Sequence, residues 1–370
     1  MKIGIDARLY FESGVGRYIK NTLRELDDYC SSNKTENKFY IFLSKKGFEE
    51  VNFESNSIVR IEADIPWHSL REQASFSRLI NSYDLDVMHF TYFSLPLLYR
   101  RKFVVTIHDL ILNYVDTGKA TTLPKYLYRL KRFFYFKVIR HAVKNSCYII
   151  SPSESTKKEI AALYKVSQDK IIVIPEGVDP VFLKKPVKPR ARVPNRYMLY
   201  VGNAYPHKNL ERLIEAFARI NEKIPQDLIL VGKSDYFYKR LIRRVSKMTN
   251  IHIYNNINDE NLSYLYSNAD FLVAPSFMEG FGLTPLEAMA HNCLPVVSGI
   301  DAFYEVCENA ALYFNPEDIQ DIASILYKAA NMTDEGKKIY EKLFKERIAK
   351  FSWEKSLKKT LDTYERCNSI

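Results

Sequence analysis

The chain has 370 residues, 46% of them apolar and 26% charged, which excludes a disordered protein and supplies two cores more naturally than one. The formal charge of +10 suits phosphate-rich ligands or an anionic membrane surface, and without zinc-finger spacing or an RNA-binding aromatic signature no nucleic-acid partner is expected. Five scattered cysteines, never in C-x-x-C spacing, read as reduced thiols of a cytoplasmic protein with no disulfide framework and no metal site.

Taken in chain order, Met1-Lys2-Ile3-Gly4-Ile5-Asp6 reads as a buried first strand and not as a signal peptide. A helix is expected near 16–29. Strand-like runs follow at 39–43, 59–62, 87–90, 103–107, 148–151 and 171–174. Their alternation with helical patterns argues for a parallel sheet with crossover helices. No apolar run approaches the ~20 residues of a membrane span. The pattern at 125–144 is a basic helix without an acidic residue, carrying Lys125, Arg129, Lys131, Arg132, Lys137, Arg140 and Lys144 among six aromatic residues. It reads equally as a crossover helix with a solvated basic face and as a helix lying on an anionic bilayer.

Four prolines among lysines and arginines mark 180–195 as a linker. The rhythm then restarts: strands at 197–201, 227–231, 251–254, 271–274 and 294–297 alternate with helices at 210–221, 238–248, 258–267 and 285–290. The expected domains are therefore 1–179 and 196–352. A terminal helical pattern, with Trp353, Leu357, Leu361 and Tyr364 on one stripe, suits either domain. Ligands of open parallel sheets bind beyond the carboxyl ends of the strands, so the default site is a cleft between two such halves.

The densest chemical signal lies at 275–290. Glu279 and Glu287 stand eight positions apart with Gly280 and Gly282 between them. The glycines let a backbone approach a ligand, and the helix start beyond attracts anions. Carboxylates bracketing an anion site suit a ligand with both phosphates and hydroxyls, such as a nucleotide sugar. Thr284-Pro285-Leu286-Glu287 also reads as a capping box, so Glu287 serves its helix, the ligand or both. His108 directly follows a strand-like run and is either satisfied at the strand end or part of a site, with Asp109 to orient it. Gly14 and Gly16 provide a tight turn before a helix, or a close approach for phosphates.

The stretch 275–290 resembles the E-x7-E signature of the retaining glycosyltransferase family 4. Ser13-Gly14-Val15-Gly16-Arg17, Thr106-Ile107-His108-Asp109, Val201–Asn209 and Phe351-Ser352-Trp353 resemble further family motifs in the same order. The resemblance implies an α/β chain of GT-B fold: two Rossmann-like domains whose parallel sheets face across a cleft, the first on the acceptor side and completed by the terminal helix 353–370. It implies that Glu279 holds the hydroxyls of the donor sugar, Glu287 the ribose, and Lys208 the departing diphosphate. The backbone of Phe281, Gly282 and Leu283 would face the diphosphate or sugar. His108, Gly14 and Gly16 would lie beside donor or acceptor. Many members carry arginine where this chain has Asn203 and His207, which leaves Lys208 as the permanent cation of that loop, with Arg17 or Lys233 to compensate.

The implied reaction retains anomeric configuration and needs neither metal nor cofactor. The donor would be GDP-mannose, favoured by similarity to bacterial mannosyltransferases of surface-polysaccharide assembly, or a UDP-sugar. The acceptor would be a glycan or a lipid-linked sugar. The competing readings are an epimerase or phosphorylase on the same architecture and a two-domain sugar-binding protein without chemistry.

Overall fold

The computed structural model describes residues 1–33, 35–114, 124–255 and 257–370. The chain forms two compact units. Of the described residues, one comprises Met1–Leu110, 124–176 and Trp353–Ile370, and the other 111–114 and Gly177–Ser352.

The first unit is built on β1 (Lys2–Asp6), β2 (Lys38–Leu43), β3 (Ile58–Glu62), β4 (Val87–Phe90), β5 (Phe103–Thr106), β6 (Tyr148–Ser151) and β7 (Ile171–Val173), in the order β3-β2-β1-β4-β5-β6-β7. Every pairing is parallel. The strands read as short unbroken apolar runs because helices cover both faces of such a sheet. On one face Ile5, Phe39, Ile41 and Val104 pack with Leu23 and Leu26 of helix Val15–Ser32 and with Trp353, Leu357 and Tyr364 of helix Trp353–Ser369.

A chain of buried polar groups crosses this unit. Tyr364 Oη lies 2.6 Å from His89 Nδ1. His89 Nε2 lies 2.8 Å from Thr106 Oγ1, which in turn meets Tyr18 Oη at 3.2 Å. Burial, and after it the neighbouring His108, push His89 down to about 3, so it is neutral.

The second unit holds β8 (Tyr197–Val201), β9 (Asp227–Gly232), β10 (Ile251–Asn255), β11 (Phe271–Ala274), β12 (Leu294–Ser298) and β13 (Leu312–Phe314), all parallel, in the order β10-β9-β8-β11-β12-β13. Alternate side chains of each strand enter two cores, one holding Met198, Leu228 and Val273 and the other Leu199, Ile229 and Leu272. Both sheets reverse direction once, between β1 and β4 and between β8 and β11. At such a switch point adjacent loops leave towards opposite faces and open a crevice.

Three expectations change. The run 180–195 is not wholly a tether. Asp179 caps a 3₁₀ turn at Pro180–Leu183, and Phe182 is buried against Tyr197 and Tyr266 with Val181 and Val193 partly buried on the same core, so apolar side chains inside a proline-rich stretch dock it on the second unit. Strand β13 and helices Asp301–Cys307, Ile319–Ala330 and Asp334–Ile348 extend that unit beyond the last predicted strand. The cysteines are not all free thiols. Cys147 and Cys367 form a disulfide across 220 positions, with Cα atoms 5.5 Å apart. Only the fold brings them together, so spacing carried no sign of the pair. Among the described residues no helix is long and apolar enough to cross a membrane.

Candidate active site

The switch point of the second sheet brings together the loop after β8 (202–209) and the loop after β11 (275–282). Lys208 Nζ donates to Glu279 Oε1 at 2.7 Å, and Ser276 Oγ donates to the same oxygen at 2.7 Å. Less than a fifth of either charged side chain is exposed. Burial alone would raise the Glu279 pKa. The Lys208 charge and hydrogen bond, with the Ser276 bond, outweigh it and hold the group below the ordinary glutamate value. Lys208 is therefore not a lone cation, as the sequence suggested, but half of a near-neutral pair. An ammonium has three donors, so it can keep Glu279 and still reach an anion.

Asn209 locks these loops together. Its backbone is left-handed (φ 57°), and its Nδ2 donates to Pro275 O at 3.0 Å and Pro316 O at 2.8 Å. Asn203 shapes its own loop: its Oδ1 accepts from Tyr205 N, and its carbonyl accepts from Tyr200 Oη at 2.6 Å. His207 is buried, and its Phe277-facing carbonyl accepts the Phe277 N–H. Burial, then Lys208, push the imidazole down to about 4. A buried neutral ring cannot replace the arginine expected beside a phosphate. Arg212, from helix Leu210–Ala218, covers the Phe277 ring at 5.1 Å and brings a second cation to this loop pair.

The helix after Glu279 starts earlier than the capping box predicted. It spans Leu283–Ala290 with Gly282 as its N-cap and no side-chain cap. Pro285 is its third residue, where the missing N–H has no helical acceptor to lose. Gly282 has φ 125°, a backbone that side-chain-bearing residues rarely adopt. Phe281 turns its ring into the core against Phe351, and Leu283 is half-buried. Glu287 is buried and accepts from Tyr266 Oη at 2.8 Å, while its carbonyl meets His291 Nδ1 at 2.7 Å. Its carboxylate is thus held by a neighbouring helix.

The first unit carries the other predicted residues at its own switch point. Gly14 caps helix Val15–Ser32, and its carbonyl accepts from Arg17 and Tyr18. A Cβ on Gly16 would stand 2.7 Å from Tyr10 O, so the turn needs glycine there. His108 is partly buried. Its Nε2 lies 3.0 Å from Thr91 O, its Nδ1 lies 3.4 Å from Glu176 Oε1, and the Tyr18 ring meets it edge-on at 4.8 Å. The fold sets Glu176 beside the ring, a neighbour the sequence did not name.

Sequence reading missed Ser276, Asn209, Arg212, Tyr266 and Glu176. Ser276 and Asn209 lie inside segments already singled out, and Arg212 lies just past one of them; Tyr266 and Glu176 act from elements distant in sequence from the residues they meet. Among the described residues no three His, Cys, Asp or Glu side chains cluster to hold a metal ion.

Two family descriptions tile most of the chain: Glycosyltransferase Family 4 over residues 13–182 and Glycosyl transferases group 1 over 182–345. The chain is similar to the O-antigen chain mannosyltransferase RfbU of Salmonella typhimurium, at 31% identity over 66% of this chain and 65% of the relative, just under two thirds of that protein. It is similar to O-antigen chain mannosyltransferase B of Escherichia coli, at 26% identity over 71% of this chain and 70% of the relative. Its fold matches sucrose-phosphate synthase from Thermosynechococcus elongatus, with a TM-score of 0.76 at 20% identity over 99% of this chain and 98% of the other.

Proposed function

The chain belongs to the glycosyltransferases of family 4, and on that premise we propose that it moves a hexose, mannose in the favoured reading, from a nucleotide-diphosphate sugar to a glycan or lipid-linked acceptor. The observation that carries this reading is the Lys208–Glu279 pair, seated at the switch point of the second sheet beside an uncapped helix start. Both bonds described for the Glu279 carboxylate fall on Oε1, so Oε2 is the atom to receive the donor sugar's hydroxyls. Lys208 and the amides at Gly282 and Leu283 take the diphosphate, whose negative charge grows as it departs. Glu287, held by Tyr266, takes the ribose hydroxyls.

In this reading the acceptor oxygen bonds to the anomeric carbon as the bond to the diphosphate oxygen breaks. The bonding electrons leave with the phosphate, and the acceptor's proton passes to it. Attack on the face that the phosphate leaves retains the anomeric configuration. Lys208, Arg212 and the helix dipole carry the charge without a divalent ion, so chelator leaves turnover unchanged. The names of the mannosyltransferase relatives support the lean to mannose as the sugar moved.

Glu279→Ala is the test. Transfer requires turnover to collapse by ~10²-fold or more while the dissociation constant of the nucleotide diphosphate stays within about threefold. A sugar-binding protein without chemistry predicts altered sugar affinity alone. A thermal-shift screen with UDP, GDP and ADP names the base, since a ligand at 100 times its dissociation constant stabilises by ~2.7 kcal/mol.

A second reading concerns location. Helix Lys125–Asn145 buries Val138, Ile139, Ala142 and Val143 but exposes Tyr126, Leu130, Phe133, Phe134, Arg129, Lys131 and Lys137. Rings and cations alternating along an exposed half-helix suit the headgroup region of an anionic bilayer.

A further inference from the structure

At the carboxyl ends of β3 and β4, beside the switch point of the first sheet, lies a fixed aromatic step. Trp67 is 42% exposed, whereas Trp353, the other tryptophan of the chain, is 4% exposed. The indole packs against the His68 ring at 4.7 Å and meets the Tyr92 ring at a right angle at 6.3 Å. Phe93 stands behind, 5.3 Å from His68 and 4.1 Å from Tyr92, and rests in turn on Tyr135 of the basic helix.

The loop under this step is held at an energetic cost. His68 has φ 55°, a left-handed backbone that costs a residue with a side chain ~1–3 kcal/mol. A buried ionic network maintains it. Arg8 donates to Asp6 and to Glu72 Oε1, each at 2.7 Å, and lies over the Phe76 ring at 3.7 Å. Glu72 Oε2 accepts from the His68 N–H at 3.0 Å and from Ser94 Oγ at 2.8 Å, and Ser94 Oγ lies 3.1 Å from His68 Nδ1. Gln73 joins the two loops, donating to Leu95 O and accepting from Leu97 N. Burial, then Lys131 and Arg8, push His68 down to about 4. The ring is thus neutral, and Lys131 stands near enough to act on it.

Strain stabilised by a network marks a site more than a scaffold, and its product here is one exposed, rigid indole. A pyranose ring has an apolar C–H face and a rim of hydroxyls. It suits a flat aromatic surface with hydrogen-bonding groups at its edge, in the crevice where open sheets bind ligands. We propose that Trp67, backed by His68 and Tyr92, is the stacking platform for the terminal sugar of the acceptor. Arg8, Glu72 and Ser94 act through the loop and are positioning residues. The inference rests on the glycosyltransferase reading and names the recognition chemistry of its acceptor half.

The test uses the intact chain and three probes: methyl α-mannopyranoside, methyl α-glucopyranoside and methyl N-acetyl-β-glucosaminide. At least one should change the Trp67 emission saturably. Calorimetry with that glycoside should show about tenfold weaker binding to Trp67→Ala and binding within about threefold of wild type for Trp67→Phe, which keeps a ring. Glu72→Gln should also weaken binding while leaving the melting of the second unit unchanged. No saturable change with any glycoside overturns the platform, as does binding that Trp67→Ala leaves intact. Quenching of Trp67 by brominated lipid in anionic vesicles, without a glycoside response, assigns the step to a bilayer and equally overturns it. Release of GDP from GDP-mannose without acceptor is followed in parallel. Its absence from wild type that still binds a glycoside speaks against the donor reading alone, and its presence in wild type that binds no glycoside overturns the platform alone.

Discussion

Replacing Lys208 with methionine keeps most of the stem and removes the charge. In the folded protein 16% of the Glu279 side chain and 19% of the Lys208 side chain are exposed. Stripping one partner from a fully buried pair costs ~3–5 kcal/mol; with water still reaching this one, ~1–3 kcal/mol is expected at pH 7. A unit of this size loses ~2–4 °C per kcal/mol, so its melting falls by ~2–12 °C. The pH dependence carries the sharper information. In the wild type, Glu279 titrates below its unfolded value of about 4.3. Its stabilisation is therefore present above that value and lost as pH falls through the lower folded one. Without Lys208, burial becomes the dominant influence and the folded value rises above the unfolded one. The penalty is then present at neutral pH and disappears in acid. The gap between Lys208→Met and wild type should be widest near pH 7 and close towards pH 4. Circular dichroism melts across that range measure it, and a Lys208→Met/Glu279→Gln double variant should remove the pH dependence. A variant that melts with the wild type at pH 7, or whose deficit is constant with pH, refutes the reasoning.

His68, His89 and His207 are held at about 4, 3 and 4, below the unfolded value of about 6.5. The stability they contribute is complete above that value and drains as pH falls towards 4; urea midpoints should fall across this window, and His89→Gln should flatten part of the slope. Thiol titration of the unfolded, unreduced chain should count three cysteines, namely Cys30, Cys293 and Cys307. Reductant should then destabilise the first unit by ~2–4 kcal/mol, and Cys367→Ser should melt at the lower temperature with or without it. Flotation should show the chain on vesicles rich in anionic lipid at low salt, with binding lost when Arg129, Lys131 and Lys137 are changed to glutamine; no binding to anionic vesicles defeats the bilayer reading of that helix.

Most strands were legible in the sequence because a parallel strand covered on both faces is a short unbroken apolar run, as 197–201 and 271–274 are. Strand β13 escaped because its three residues are too few to form a pattern. Glu279 and Lys208 were readable as parts of local motifs, but their 2.7 Å contact was not, since it depends on β8 and β11 being neighbours in the sheet. The capping box misled for a related reason. Thr284-Pro285-Leu286-Glu287 has the right residues, but Gly282, with its positive φ, starts the helix one residue before Thr284, and Tyr266 claims the glutamate. His89 was passed over because a lone histidine in a strand has no local signature, and its partners Thr106 and Tyr364 lie 17 and 275 positions away.

The route of the chain has a consequence for synthesis. Domains generally close in the order in which the ribosome releases them. Here the first unit needs Trp353–Ile370 for its core, for the Tyr364 partner of buried His89 and for the Cys367 half of its disulfide. The second unit has all of Gly177–Ser352 before that helix emerges. The first unit is thus completed last, its sheet waiting through the making of the other with one apolar face covered by helix Val15–Ser32 but lacking Trp353, Leu357 and Tyr364. A truncation of even a few terminal residues should be felt in the half of the protein that was translated earliest.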